Sequence, residues 1–269
     1  MKENKKTPDI RFKGFTDDWE QRKLIEVCDY VDYRGKTPRK TKTGVFLVTA
    51  KNVKDGYIDY EASKEYISYN DYDEVMKRGI PEIGDVLFTT EAPCGNVAQV
   101  DKPNIALAQR IIKYRGKDNI INNNYLKYYL LAPTFQKNID KKSSGGTVQG
   151  IKGSVLHQQA MQYPSYIEQQ KVGMILNIID NLITLHQREC DQLKELKKTM
   201  LKKMFPRDDS NIPEVRFAGF TDDWEQRKFS DLVTIERGGS PRPIDKYITN
   251  DKNGLNWIKI GDAPEQGNY

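Results

Sequence analysis

Cations set beside hydroxyl and amide side chains recur in two stretches of this sequence. They are Arg34-Gly35-Lys36-Thr37-Pro38-Arg39-Lys40-Thr41-Lys42 and Lys141-Lys142-Ser143-Ser144-Gly145-Gly146-Thr147-Val148-Gln149. Lys51-Asn52 adds a further pair at the end of a predicted strand. Lys and Arg neutralise phosphates, while Arg, Asn, Gln, Ser and Thr also hydrogen-bond base edges. The candidate polyanion contacts are therefore Arg34, Lys36, Thr37, Arg39, Lys40, Lys42, Lys51, Asn52, Lys141, Lys142, Ser143, Ser144, Thr147 and Gln149. An ordinary solvated loop has the same composition, so one such stretch says little. Two in one domain say more.

Catalytic patterns are not read in the sequence. A phosphate-binding P-loop needs Lys directly after its second Gly, but Gly150 is followed by Ile151 and only then Lys152. No G-x-G-x-x-G follows a predicted strand, and the Pro-Pro expected in an amino-methyltransferase loop does not occur. Asp17-Asp18 and Asp222-Asp223 each precede a Trp, where helix capping explains them better than acid-base work. His157 and His186 have no partners at ligand spacing, which points to solvated or seam positions. Cys94, in Ala92-Pro93-Cys94-Gly95-Asn96, has no His nearby to activate it. With Cys28 and Cys190 far from it and no C-x-x-C, neither a disulfide framework nor a zinc site is expected.

The elements that would position the basic loops must come from a polar chain of 269 residues, 37% hydrophobic and 30% charged. Its mean hydropathy is −0.74. Fifteen Tyr, 9 Phe and 3 Trp still supply a core, which argues against general disorder. Forty-three Lys+Arg against 38 Asp+Glu give a net charge of +5, which permits a polyanion partner without demanding one. No run approaches the roughly 18 apolar residues of a membrane span, and Met1–Lys6 leads into no apolar stretch. The expectation is a cytoplasmic protein of a reducing compartment with no membrane partner.

Self-comparison organises the rest. Pro8–Lys23 (PDIRFKGFTDDWEQRK) returns as Pro213–Lys228 (PEVRFAGFTDDWEQRK), identical at 13 of 16 positions with an offset of 205 residues. That offset is too long for a solenoid repeat and reads as a duplicated domain. Beyond this block the copies drift but keep landmarks. Tyr33–Arg39 is echoed by Glu236–Arg242, and the strand-like Val45–Val48 by Asn256–Ile260.

In the first copy, Thr16-Asp17-Asp18 is expected to open a short helical or turn segment packed through Trp19 and Leu24. Strands are expected at Val45–Thr49, Asp85–Thr90, Val97–Val100 and Ala106–Tyr114, and helices at Asn122–Leu131 and Pro133–Lys141. From Pro164 the character changes. Ser165-Tyr166-Ile167-Glu168 reads as a capping box, and about 40 residues without Pro follow, ending at Phe205-Pro206. A helix of that length is roughly 60 Å long. Ile175, Ile178, Leu182, Leu185, Leu193, Leu196 and Met200 recur on it at spacings of three and four, broken near Glu189-Cys190. That is a coiled-coil-like seam, which one helix cannot bury alone. The predicted fold class is α+β, with a compact domain over residues 1–163, the long helix over 164–205, and the incomplete start of a second domain over 206–269.

Taken in order, these features resemble the specificity subunit of type I restriction-modification systems. The residues carrying the resemblance are the paired entry segments Trp19–Leu24 and Trp224–Phe229, the turn Gly35–Pro38, Gly84–Thr90 followed by Gly95-Asn96, the Ser143–Thr147 loop, and Pro164–Gln170 opening the long helix. The resemblance implies a target-recognition domain that reads half of a split site in double-stranded DNA, and a helix that fixes the gap. It implies no catalysis and no cofactor on this chain: S-adenosylmethionine belongs to modification subunits, ATP and Mg to restriction subunits. It also implies that the chain lacks most of a second domain and a second helix, so that its seam would be covered by a modification subunit or by a homodimer through the long helix. Two other readings remain open at this stage. One is a stand-alone methyltransferase or nuclease; the other is a coiled-coil assembly protein without DNA specificity.

Overall fold

The computed structural model describes residues 8–35, 37–145, 149–207, 210–236, 238–258 and 260–262. It divides into two compact units, Met1–Asp191 and Gln192–Tyr269. Among the described residues no helix is long and apolar enough to cross a membrane.

The first unit is built on an antiparallel sheet of four strands. These are β2 (Cys28–Asp32), β9 (Ile111–Gly116), β6 (Val86–Thr90) and β7 (Cys94–Gln99), in that spatial order. Central β6 is buried along its whole length, so its side chains alternate between two cores. Val86 and Phe88 face one cluster with Ile112 and Tyr114 of β9; Leu87 and Ile111 face the other. The helices α3 (Asn123–Leu131) and α4 (Pro133–Lys142) cover the first cluster through Tyr125, Leu126, Leu130, Phe135 and Ile139. A second sheet covers the other, in the order β3 (Lys40–Thr41), β5 (Tyr66–Ile67), β4 (Val45–Val48) and β8 (Ile105–Leu107). Each fully buried Leu, Ile or Phe in these layers contributes roughly 1.5–3 kcal/mol.

The expected strands at Val45, Asp85 and Val97 and both short helices form within a few residues of the predicted ends. Asn122 caps α3, its carboxamide oxygen accepting from the amides of Asn124 and Tyr125. The single strand expected over Ala106–Tyr114 is two. Arg110 takes a left-handed conformation (φ 77°), which ends β8 and starts β9 in the other sheet. Of the helical or turn segment expected at Thr16–Asp18, the structure forms a bend at Asp17 and no helix. The chain instead enters β1 (Glu20–Lys23), which pairs antiparallel with β10 (Ala160–Tyr163), and then α1 (Leu24–Val27). Asp17 and Asp18 therefore cap no helix; their charges bear on the nearby Arg11 guanidinium.

The long helix α6 spans Tyr166–Lys203, about 57 Å at 1.5 Å per residue. Its first turns are clamped to α3. The Gln169 amide donates to the carbonyls of Ile120 and Pro164, and Tyr128 Oη and Lys127 Nζ reach Asn177 and Asp180. Gly173 permits this approach, because a Cβ there would lie 2.8 Å from Asn124 Cβ. Glu168 does not close a capping box on Ser165. Both its oxygens are taken at 2.8 Å by Arg11, 157 residues earlier in the chain. On it Ile175, Ile178, Leu182, Leu185, Leu193 and Leu196, the residues of the predicted seam, are 44–57% exposed, and Met200 is half-buried.

The second unit repeats the entry motif and then carries the short α7 (Phe229–Leu232). Asn256–Ile260, expected to echo β4, forms no strand, and Lys259 in it lies outside the described residues. A strand needs a neighbour to hydrogen-bond, and no described residue of this unit supplies one.

Candidate nucleic-acid interface

The first basic loop follows β2 and is shaped by local charge. Asp32 accepts from the backbone amide and the guanidinium of Arg34, and this pairing raises the Arg34 pKa further. Arg78, which lies in no basic run of the sequence, pins the same loop by donating to the Asp32 and Arg34 carbonyls at 3.0 and 2.8 Å. The loop forms one wall of a cleft of about 490 Å³. Arg34, Thr37 and Arg39 line it from one side, Lys77, Arg78 and Gln109 from others, with Asp71 and Glu74 among them. Glu74 is paired with Lys77 at 2.5 Å, and Arg39 and the Gln109 carboxamide stand in the same lining as Thr37 and Asp71. Sequence reasoning missed both Arg78 and Gln109. Gln109 follows an apolar strand in a pattern that reads as one strand continuing to Tyr114, and Arg78 stands alone among residues that carry no signal.

The second loop meets the first at its far end. Gly153 opens the short helix α5 (Gly153–His157), and a Cβ there would fall 2.7 Å from Arg34 Nη2. Gly150 bridges to Glu91, whose carboxylate pairs with Arg110, the residue after Gln109. Gln149 and Ser144 are exposed beside this junction. Lys141 is exposed in the last turn of α4, whereas Lys142 is engaged by Gln159 at 2.7 Å. Ser143 serves the fold, donating its hydroxyl to the Ile139 carbonyl at the end of α4. Lys36 and Thr147 lie outside the described residues.

Elsewhere the predicted set divides. Lys40 pairs with Glu65 at 2.7 Å, and Lys42 and Lys51 are exposed on turns. Asn52 is not a surface contact and leaves the candidate set. It is 0% exposed, its oxygen accepts from the Thr49 amide and hydroxyl, and its nitrogen donates to the Asp59 and Ser63 carbonyls. Every hydrogen-bonding position of that carboxamide is used inside the protein.

The side chains weighed for catalysis lie apart from one another in different surroundings. Burial raises the Cys94 thiol pKa and raises that of Cys28 to about 12, so both stay protonated at neutral pH. His157 is neither solvated nor on the seam. It is buried, with Nδ1 2.8 Å from the Tyr114 hydroxyl and its ring stacked on Tyr30 at 3.7 Å. Burial, then the Arg34 charge, lowers its pKa against the opposing pull of Asp32. His186 is exposed on α6, 3.4 Å from Glu189.

The sequence that folds into these sheets, cleft and helix matches a family model. The family described as "Type I restriction modification DNA specificity domain" aligns with residues 16–195, more than half of the chain. The chain belongs to this family. Among its relatives is the type I restriction enzyme MjaIX specificity subunit of Methanocaldococcus jannaschii, 26% identical over 250 residues, covering 87% of this chain and 56% of that one. The MjaVIII specificity subunit of the same organism is 25% identical, covering 91% and 55%. The chain thus spans about half the length of the relatives it matches. In fold it is similar to the crystal structure of a type I restriction-modification system S subunit from M. genitalium. The TM-score is 0.53 at 15% identity, over 76% of this chain and 50% of that one.

Proposed function

We propose that this chain recognises double-stranded DNA as a specificity component of a type I restriction-modification complex, and that the cleft at Arg34, Arg39 and Gln109 is its sequence-reading face. The observation that carries the reading is that the family match over residues 16–195 contains the cleft and most of the helix that follows it. Arginine reads guanine O6 and N7 as a bidentate donor, and glutamine reads adenine N6 and N7. Exposed Lys42, Lys51 and Lys141 serve the phosphates, which fix register without specifying sequence.

In this reading the chain works in the cytoplasm and does no chemistry itself. Modification subunits bring S-adenosylmethionine and methylate adenine, and restriction subunits supply the ATP- and Mg-dependent cleavage. The α6 seam is the assembly element. A second copy is the simplest cover, packed antiparallel about a two-fold axis, because an isologous pair buries both seams at once. Such a dimer presents identical recognition domains and favours a symmetric site. The test is co-expression with a modification subunit and sequencing of methylated adenines. A single motif that appears only when this chain is present supports the proposal; methylation that is absent, or independent of the chain, refutes it.

A further inference from the structure

The entry motif occurs twice and folds twice into the same turn. Gly14 and Gly219 are both left-handed, at φ 98° and 93°. The amides of Phe15 and Phe220 donate to the carbonyls of Phe12 and Phe217 at 3.4 and 3.3 Å. What differs is the cover. Over the first copy lies the start of α6: Glu168 holds Arg11 through two bonds of 2.8 Å, and the Lys171 ammonium stands 4.9 Å from the centre of the Phe15 ring. Phe12, Phe15 and Trp19 are half-buried there.

Among the described residues the same side chains of the second copy lack that cover. Nη1 of Arg216, the counterpart of Arg11, is buried with no hydrogen-bond partner among them. Phe217 and Phe220 are 72% and 67% exposed. Between them and Met200, Leu201 and Met204 near the end of α6 runs a groove of about 420 Å³. A buried donor without an acceptor is unfavourable, more so when it is charged, so the groove favours a carboxylate.

We propose that this groove is a docking site for the first turn of a partner helix carrying Glu-x-x-Lys, with the glutamate on Arg216 and the lysine over Phe220. The first copy shows the arrangement completed, with Glu168 and Lys171 at that spacing. A second copy of this chain fits the groove poorly. Its Glu168 is 1% exposed and already held by Arg11. The exposed side chains of its α6 start include Ile167, Gln170, Lys171 and Met174, which bring a cation and no carboxylate to Arg216. The homodimer proposed above therefore covers the seam but leaves the groove unsatisfied, and a helix with a free glutamate outcompetes it. The inference rests on α6 pairing with another helix and not on DNA recognition.

The probe is a fluorescent peptide with the sequence of residues 164–185, in which the glutamate is free, titrated onto the full chain without DNA and followed by anisotropy. Arg216→Met in the chain should weaken binding at least roughly tenfold. Glu168→Gln in the peptide should do the same while leaving the folded chain untouched, and the two changes together should cost little more than either alone. Equal affinity for the Arg216→Met chain, additive losses, or no binding up to about 1 mM peptide overturns the proposal. Methylation by the reconstituted complex reads DNA recognition separately, so failure of one reading is distinguishable from failure of the other.

Discussion

Replacing Asn52 with alanine separates a structural role from a DNA-contacting one. The substitution deletes four hydrogen bonds of 2.7–2.9 Å, and it strands the Thr49 amide and the Asp59 and Ser63 carbonyls in a site of 0% exposure. At about 1 kcal/mol net per neutral hydrogen bond, with part of the loss recovered as water enters, about 3 kcal/mol should be lost. For a unit of about 190 residues, 1 kcal/mol moves Tm by about 2–4 °C, so Asn52→Ala should melt about 6–12 °C lower. Circular dichroism melting reads the shift. Affinity for DNA, measured well below the new transition, should stay within a few-fold of the parent. A variant that melts normally but binds DNA tenfold more weakly would show that Asn52 reaches the nucleic acid and that its internal bonds are misassigned.

Three further outcomes follow from the same geometry. Burial keeps the folded-state pKa of His157 below its unfolded value of about 6.5, so the unfolded chain binds the extra proton. Stability from this site is complete above about pH 6.5 and lost as pH falls toward the depressed value; His157→Gln should flatten Tm between about pH 7 and 5, and an unchanged slope refutes the assignment. Leu182→Glu with Leu193→Glu, both on the exposed seam, should convert dimers to monomers in sedimentation without lowering the melting of the first unit, whereas persistent dimers would place the interface elsewhere. Lys141→Ala with Lys142→Ala should weaken binding to all DNA sequences alike and reduce the salt slope by about 0.9 for each phosphate no longer neutralised, and an unmoved slope removes this loop from the interface.

What the sequence made legible was local. The apolar faces of α3 and α4, the buried run of β6 and the uninterrupted helical pattern of α6 are each written in neighbouring residues, and so is the repeated entry motif. What it hid depends on contacts between distant parts of the chain. Glu168 reads as a capping partner of Ser165 three residues away, yet Arg11 claims it from 157 residues upstream. Asn52 and Lys51 look alike in a basic turn, and only the returning strand-loop at Asp59–Ser63 turns one of them inward. Gln109 reaches the cleft because Arg110 breaks a strand that hydrophobicity alone would continue. Arg34, Thr37 and Arg39 of the first cation-rich loop line the cleft, but its other walls come from residues with no pattern of their own.

The cleft assignment is tested most directly by the motif that a reconstituted complex methylates. Arg39→Ala with Gln109→Ala removes two hydrogen-bonding groups that line the cleft, and neither side chain belongs to the core. At roughly 1–3 kcal/mol for each base contact, sequencing of methylated adenines should show the parent motif relaxed at one or two positions, with assembly on the modification subunit unchanged. The same motif, methylated at the same rate, would place sequence reading outside this cleft.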